Sequence, residues 1–118
     1  MAKLSDTDLD AAFAALADPT RRRVLTRLAS GPASVTELAA DHAMALPSFL
    51  AHVRRLEGAG LIVTEKEGRA RICRLHPEAF APVNDWLSDQ RALWSERLDR
   101  FDDYALTLAR ERDNEPRS

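Results

Sequence analysis

The chain has 118 residues, 45% hydrophobic and 31% charged, with a net charge of −2 and one cysteine, which predicts a single globular domain near the size where a second subunit helps to bury surface. No apolar run approaches the ~20 residues a membrane span needs, and the opening MAKLSDTDLD lacks the apolar segment and cleavage site of a signal peptide. Cys73 alone cannot close an intramolecular disulfide, and the expected location is the reducing cytoplasm.

The first helix is predicted to start within residues 5–7, where Ser5 and Thr7 supply capping oxygens, and to align Leu9, Phe13 and Leu16 before ending at Asp18. Asp18-Pro19 then signals a second helix, because aspartate caps free amides and proline's fixed φ suits the first helical position. Val24, Leu25 and Leu28 form its buried stripe, and Gly31-Pro32 ends it with a left-handed glycine cap. Ser34 and Glu37 make a capping box that opens a third helix, with Val35, Leu38 and Ala39 inward. After a loop over residues 42–46, Pro47 starts a fourth helix with Phe49, Leu50, Val53 and Leu56 on its apolar face, running to Gly58 and Gly60. Its outward positions are Ser48, Ala51, His52, Arg54 and Arg55.

Residues 61–65 and 71–75 read as two strands joined by residues 66–70, a hairpin with Gly68 at the bend and Lys66, Arg69 and Arg71 at its tip. Beyond His76-Pro77 the pattern is helical, with a broken first turn because Pro82 cannot sit deep inside a helix. The last helix should span residues 81–110, leaving residues 113–118 as a frayed tail. Phe80, Leu87, Trp94, Phe101 and Leu108 recur every seven residues, widened by Leu98 and Ala105, the spacing of a helix packed lengthwise on another. Leu9, Phe13 and this stripe are expected to form a homodimer interface; the alternative is that the stripe folds back onto the chain's own core.

The fold class is therefore mainly α with a small β-hairpin wing (α+β): a winged helix-turn-helix with a long terminal dimerisation helix. Residues 18–76 would be the DNA-binding core, and residues 1–17 and 77–112 the dimerisation helices. Charge supports this division. Residues 18–76 hold ten Lys/Arg against six Asp/Glu, whereas residues 77–118 hold six against ten. Because phosphate attraction is local and screened beyond about 8–10 Å, a basic face can serve double-stranded DNA on an acidic chain.

Candidate DNA contacts follow from the outward face of the fourth helix and from the wing. His52 can donate to or accept from a base edge or phosphate, unless it is an ordinary exposed or turn-packing histidine. Arg54 and Arg55 can reach guanine or phosphate, and Ala51 lies beside them. Thr36 and Ser48, near the starts of two helices, either bond phosphates or simply cap and solvate. Lys66, Arg69 and Arg71 suit backbone contacts, while Arg21, Arg22 and Arg23 are left as structural or flanking residues.

No cofactor or metal is expected. The soft ligands are Cys73, His42, His52 and His76, placed on a strand, in a turn, on the DNA face and after the hairpin, so no cluster forms. Cys73 reads as a small hydrophobe rather than a redox switch. Asp99, Asp102 and Asp103 are charges an amphipathic helix carries on its solvent face. With no phosphate-cradling loop, nucleophile elbow or carboxylate pair, the chain is not expected to be an enzyme.

The string Phe13-Ala-Ala-Leu-Ala-Asp-Pro-Thr-Arg21, then Val35-Thr-Glu-Leu-Ala39, Leu46-Pro47, His52, Leu56-Glu-Gly-Ala-Gly-Leu61 and Gly68-Arg69 resembles the ArsR-type (ArsR/SmtB-like) winged-helix repressors of bacteria. Trp86-Leu87, Arg91, Trp94 and Arg97-Leu98-Asp99 resemble a subgroup with an aromatic-rich terminal helix. The resemblance implies a homodimer formed by the first and last helices, and repression by occupying a promoter. Family members often have serine where Leu50 stands, in a Ser-x-His pattern of which only His52 remains, and the ligand sets of metal-sensing relatives are absent. Two rival readings are a sensor whose inter-subunit pocket, lined by Trp86 and Trp94, takes an effector or metal, and a winged-helix protein-interaction module. The polar outer face of the fourth helix speaks against the latter. No effector follows from the sequence.

Overall fold

The computed structural model describes residues 6–113; the predicted cap Ser5 and residues 114–118 of the predicted tail lie outside them. The chain forms two compact units that divide between Val83 and Asn84. In the first, α1 (Asp6–Leu16) and α2 (Pro19–Leu28) precede a short strand β1 (Ala33–Ser34), α3 (Val35–Ala40), α4 (Leu46–Gly58) and the hairpin of β2 (Ile62–Glu67) and β3 (Ala70–Leu75). A 3-10 turn, Pro77–Phe80, leads into α5 (Ala81–Asp113). Proline at the second position of α5 explains the broken start, since the amide it lacks has no partner in a first turn.

The sequence signals place most helix starts correctly. Asp18 caps α2 by accepting the Arg21 amide at 3.0 Å, and Ser34 Oγ accepts the Glu37 amide at 3.1 Å to open α3. Ser34 also belongs to β1, which the sequence reading lacks: Ala33 and Ser34 pair antiparallel with Cys73 and Ile72, making the sheet three-stranded in the order β1-β3-β2. In the capping box, Glu37 meets the Ser34 hydroxyl, which donates to Oε1 at 3.1 Å. α2 stops at Leu28, and Gly31 stands beyond its end at φ +140 instead of forming a left-handed cap.

α4 ends in a Schellman motif. Gly60 takes φ +78, its amide donates to Glu57 O at 2.9 Å, and the Leu61 amide donates to Leu56 O at 3.1 Å. Leu56 and Leu61 are both fully buried, the apolar contact that accompanies this cap. The motif turns the chain directly into β2. The hairpin is tighter than its composition suggests: pairing continues to Glu67 opposite Ala70, leaving Gly68 and Arg69 as the turn. Gly68, at φ +62, occupies the position where a type II′ turn needs glycine. Lys66 and Arg71 consequently leave the predicted tip and face each other across the strands.

The core of the first unit gathers Val24, Leu38, Phe49, Leu56, Leu61, Ile62 and Cys73, with Leu9, Phe13 and Phe80 half-buried against it. Phe80, first in the seven-residue series, is thus a core residue of this unit. In the second unit the series is exposed, Leu87 at 43%, Trp94 at 61%, Leu98 at 60%, Phe101 at 66% and Leu108 at 43%. Asp113, placed by sequence in the tail, is still helical. No helix among the described residues is long and apolar enough to cross a membrane.

Candidate nucleic-acid interface

With Phe49, Val53 and Leu56 buried, the helical rotation of α4 leaves Ser48, Ala51, Arg54 and Arg55 exposed. Leu50 is half-buried against the core. Thr36 is exposed on α3. His42 packs its ring edge-to-face on Phe49, centroids 5.2 Å apart, and fixes the loop that leads into α4.

His52 differs from its neighbours. Its side chain is only 23% exposed, and Nδ1 lies 3.0 Å from Arg21 Nη1 and 3.7 Å from Asp18 Oδ2. Arg21 in turn donates from Nε to Ala15 O at 2.7 Å and from Nη2 to Ala14 O at 3.0 Å. Arg22 donates to Leu16 O at 2.8 Å. These two arginines bond the last carbonyls of α1, of which Ala14 O also accepts from the Ala17 amide, and a positive charge there suits the helix dipole. No local pattern announces the Arg21–His52 contact, since the two residues stand far apart in the chain; the only signal was the family string ending at Arg21.

The Arg21 amide, donating to Asp18, holds the Asp18 carboxyl below its ordinary value of 3.8; partial burial opposes this, and the charges of His52, when it is protonated, and of Arg21 add to it. A depressed folded-state value means that ionised Asp18 stabilises the fold above about its ordinary value and ceases to as pH falls through the folded value. Asp18→Ala should therefore cost about 1 kcal/mol near neutrality, as loss of a helix cap does. The gap to wild type, measured by urea unfolding, should narrow below pH 3.8. A gap that stays constant down to pH 2 would contradict the charged cap.

The wing has two chemically distinct faces. Thr64 on β2 donates to Glu57 at the end of α4 and accepts from Arg71 Nη1 at 2.8 Å. Alternation along the strands puts Lys66 on the same face as Thr64, and register puts Arg71 opposite Lys66. The cations Lys66 and Arg71 thus share the α4 side of the sheet. Glu65 and Glu67 take the other face, where Arg74 bonds Glu67 at 3.1 Å. Arg69 is exposed in the turn itself.

Cys73 is fully buried on β3, and desolvation pushes its thiol up, with Glu57 adding in the same direction. Such a thiol is a packing group. His76 Nδ1 lies 3.1 Å from the carbonyl oxygen of Gly60, which can only accept, and Nε2 lies 3.0 Å from Glu78 Oε2. Among the described residues no group of three or more His, Cys, Asp or Glu is placed to hold a metal ion.

A hairpin wing beside a helix-turn-helix with an open polar face defines a winged helix-turn-helix protein that binds DNA. A family model described as a helix-turn-helix domain matches residues 16–65. The HTH-type transcriptional regulator Rv2034 of Mycobacterium tuberculosis is 36% identical over 89 residues, 75% of this chain and 80% of that protein. A crystal structure of an ArsR family transcriptional regulator is similar at TM-score 0.71 and 52% identity, covering 75% of this chain and 97% of that one. A solution structure of a homodimeric winged helix-turn-helix DNA-binding domain from Mycobacterium bovis, described as a possible ArsR-family regulator, is similar at TM-score 0.56 and 25% identity, covering 85% and 95%. The chain belongs to the ArsR family of transcriptional regulators.

Proposed function

We propose that the chain acts in the cytoplasm as a homodimeric repressor. It binds a two-fold symmetric operator with each α4 in one of two successive major grooves, roughly 34 Å apart, and thereby keeps RNA polymerase from a promoter. The observation that carries this reading is the juxtaposition of the exposed Ser48, Ala51, Arg54 and Arg55 on α4 with Lys66 and Arg71 on the α4 side of the wing. His52 and Thr36 complete the contact set, and Arg69 grips the backbone from the turn. Residues 18–76 form the DNA-binding core. Leu9, Phe13, Leu87, Trp94, Leu98, Phe101 and Leu108 supply the dimer interface, within residues 1–17 and 77–112, and the exposure of the α5 members supports that role.

Base contacts and phosphate contacts separate experimentally. Against a duplex selected by the protein from a randomised pool, Arg55→Ala should lose on the order of tenfold or more in affinity, as a bidentate base contact does. On random DNA it should lose far less. Arg69→Ala should weaken both duplexes alike and reduce the slope of log K against log salt by about 1. Equal losses on both duplexes for both variants would remove the division between reading helix and clamping wing, and binding indifferent to salt would remove the phosphate contacts.

A further inference from the structure

Arg21 is one of three adjacent arginines on α2, and its guanidinium hydrogen-bonds to His52 on α4. We propose that Arg21 is a positioning residue of the DNA interface: its guanidinium locks His52 as a hydrogen-bond donor, so that α4 selects an acceptor atom on the duplex. The inference rests on the reading above, in which the outer edge of His52 meets DNA.

The argument is one of donor and acceptor inventory. A guanidinium has five N–H donors, no acceptor, and keeps its proton at any pH a protein meets. The 3.0 Å contact between Arg21 Nη1 and His52 Nδ1 is a hydrogen bond only if Nδ1 supplies the lone pair. Neutral His52 must then carry its proton on Nε2, the ring nitrogen on the far side, which makes no hydrogen bond among the described residues. Were Nδ1 protonated instead, its proton would face the Arg21 protons, and the neighbouring carboxylate oxygen, Asp18 Oδ2, lies at 3.7 Å, beyond hydrogen-bond range.

Arg21 is itself held. Its bonds to Ala14 O and Ala15 O use two more edges of the planar group, so the guanidinium cannot swing away without uncapping α1. Half-burial restricts the ring in the same way. The imidazole is therefore fixed in both orientation and tautomer before DNA arrives, and its free edge is a donor. Donors suit guanine N7 and O6, adenine N7, thymine O4 and phosphate oxygens; they do not suit the amino groups of adenine or cytosine. The same guanidinium ties the end of α1 to the reading face of α4.

Three variants, Arg21→Met, His52→Ala and the double, measured on the selected duplex and on random DNA well below their unfolding temperatures, test this. His52→Ala should weaken binding to the selected duplex about five- to tenfold, as loss of one net hydrogen bond does. Arg21→Met should weaken it by a similar factor, and the double variant no more than the worse single one. Losses confined to the selected duplex place the acceptor on a base, and equal losses on random DNA place it on a phosphate; either supports the donor role. Independent, multiplying losses, or Arg21→Met lowering thermal stability while affinity stays intact, would overturn the positioning role and leave the DNA-binding reading of His52 standing. An unaffected His52→Ala would sink both. Should Arg21→Met fail to fold, nitrogen NMR of the wild-type imidazole decides: Nδ1 must resonate as a pyridine-type acceptor and Nε2 as the protonated nitrogen, and the reverse assignment rejects the proposal.

Discussion

Replacing Leu98 and Phe101 together by glutamate should convert the protein to a monomer and lower its operator affinity by a hundredfold or more, while leaving the winged helix-turn-helix folded. Both side chains lie on α5 and are exposed, at 60% and 66%. Fully burying a leucine or phenylalanine contributes about 1.5–3 kcal/mol, so a stripe of five such residues offers on the order of 10 kcal/mol toward an association that costs about 4–15 kcal/mol in lost freedom. Two carboxylates in that seam remove apolar area and add unpaired charges that must stay solvated. Affinity falls because two linked reading heads gain an avidity of about 10²–10⁴ over one. Sedimentation and binding on half-site and full-site duplexes check the outcome: the variant should bind both equally. A variant that remains dimeric with full affinity would place the interface elsewhere.

The seven-residue spacing on α5 is legible in the sequence, whereas other parts of the fold are not. Leu87, Trp94, Phe101 and Leu108 share one face of α5 by spacing alone, because a seven-residue repeat is a one-dimensional property, and all four are exposed there. Asp18-Pro19, Ser34 with Glu37, and Pro47 likewise mark helix starts, since a cap is settled by chemistry within three or four residues. β1 was illegible for the same reason inverted. Two residues, Ala33 and Ser34, carry no period, and what makes them a strand is the edge of β3 nearly forty positions later.

The candidate site divides the same way. Exposure of Ser48, Ala51, Arg54 and Arg55 follows from the apolar positions of α4, but the contact of His52 with Arg21 and those linking Arg71, Thr64 and Glu57 do not. Long-range polar contacts of this kind require knowing which helix ends meet, and periodicity does not say. The turn of the wing was misjudged in length because composition marks a glycine without marking how far pairing extends past it. Gly68 at φ +62 permits a two-residue turn, which makes Lys66 and Arg71 a cross-strand pair on the α4 side and leaves Arg69 at the bend.

Phe49→Ala should destabilise the protein by about 3–5 kcal/mol, the cost of a large core aromatic truncated to a methyl group. Phe49 is wholly buried on the inward face of α4, with His42 against its ring edge. With Val53 and Leu56 it seats α4 on the core, so its loss leaves a cavity beneath that helix. Against a total of about 5–15 kcal/mol for a small domain, this takes a large share. The thermal midpoint should drop by roughly 15 °C or more, measured at fixed protein concentration because a dimer's midpoint depends on it. Operator binding should fall with the folded fraction and also show lost selectivity, since a loosened α4 no longer holds Arg54 and Arg55 in register. Arg55→Ala provides the contrast: an exposed side chain should alter stability by about 0.5 kcal/mol or less while removing discrimination. If Phe49→Ala were as stable as wild type yet blind to the operator, α4 would be held by something other than this core, and the account of how the helix is presented to DNA would have to change.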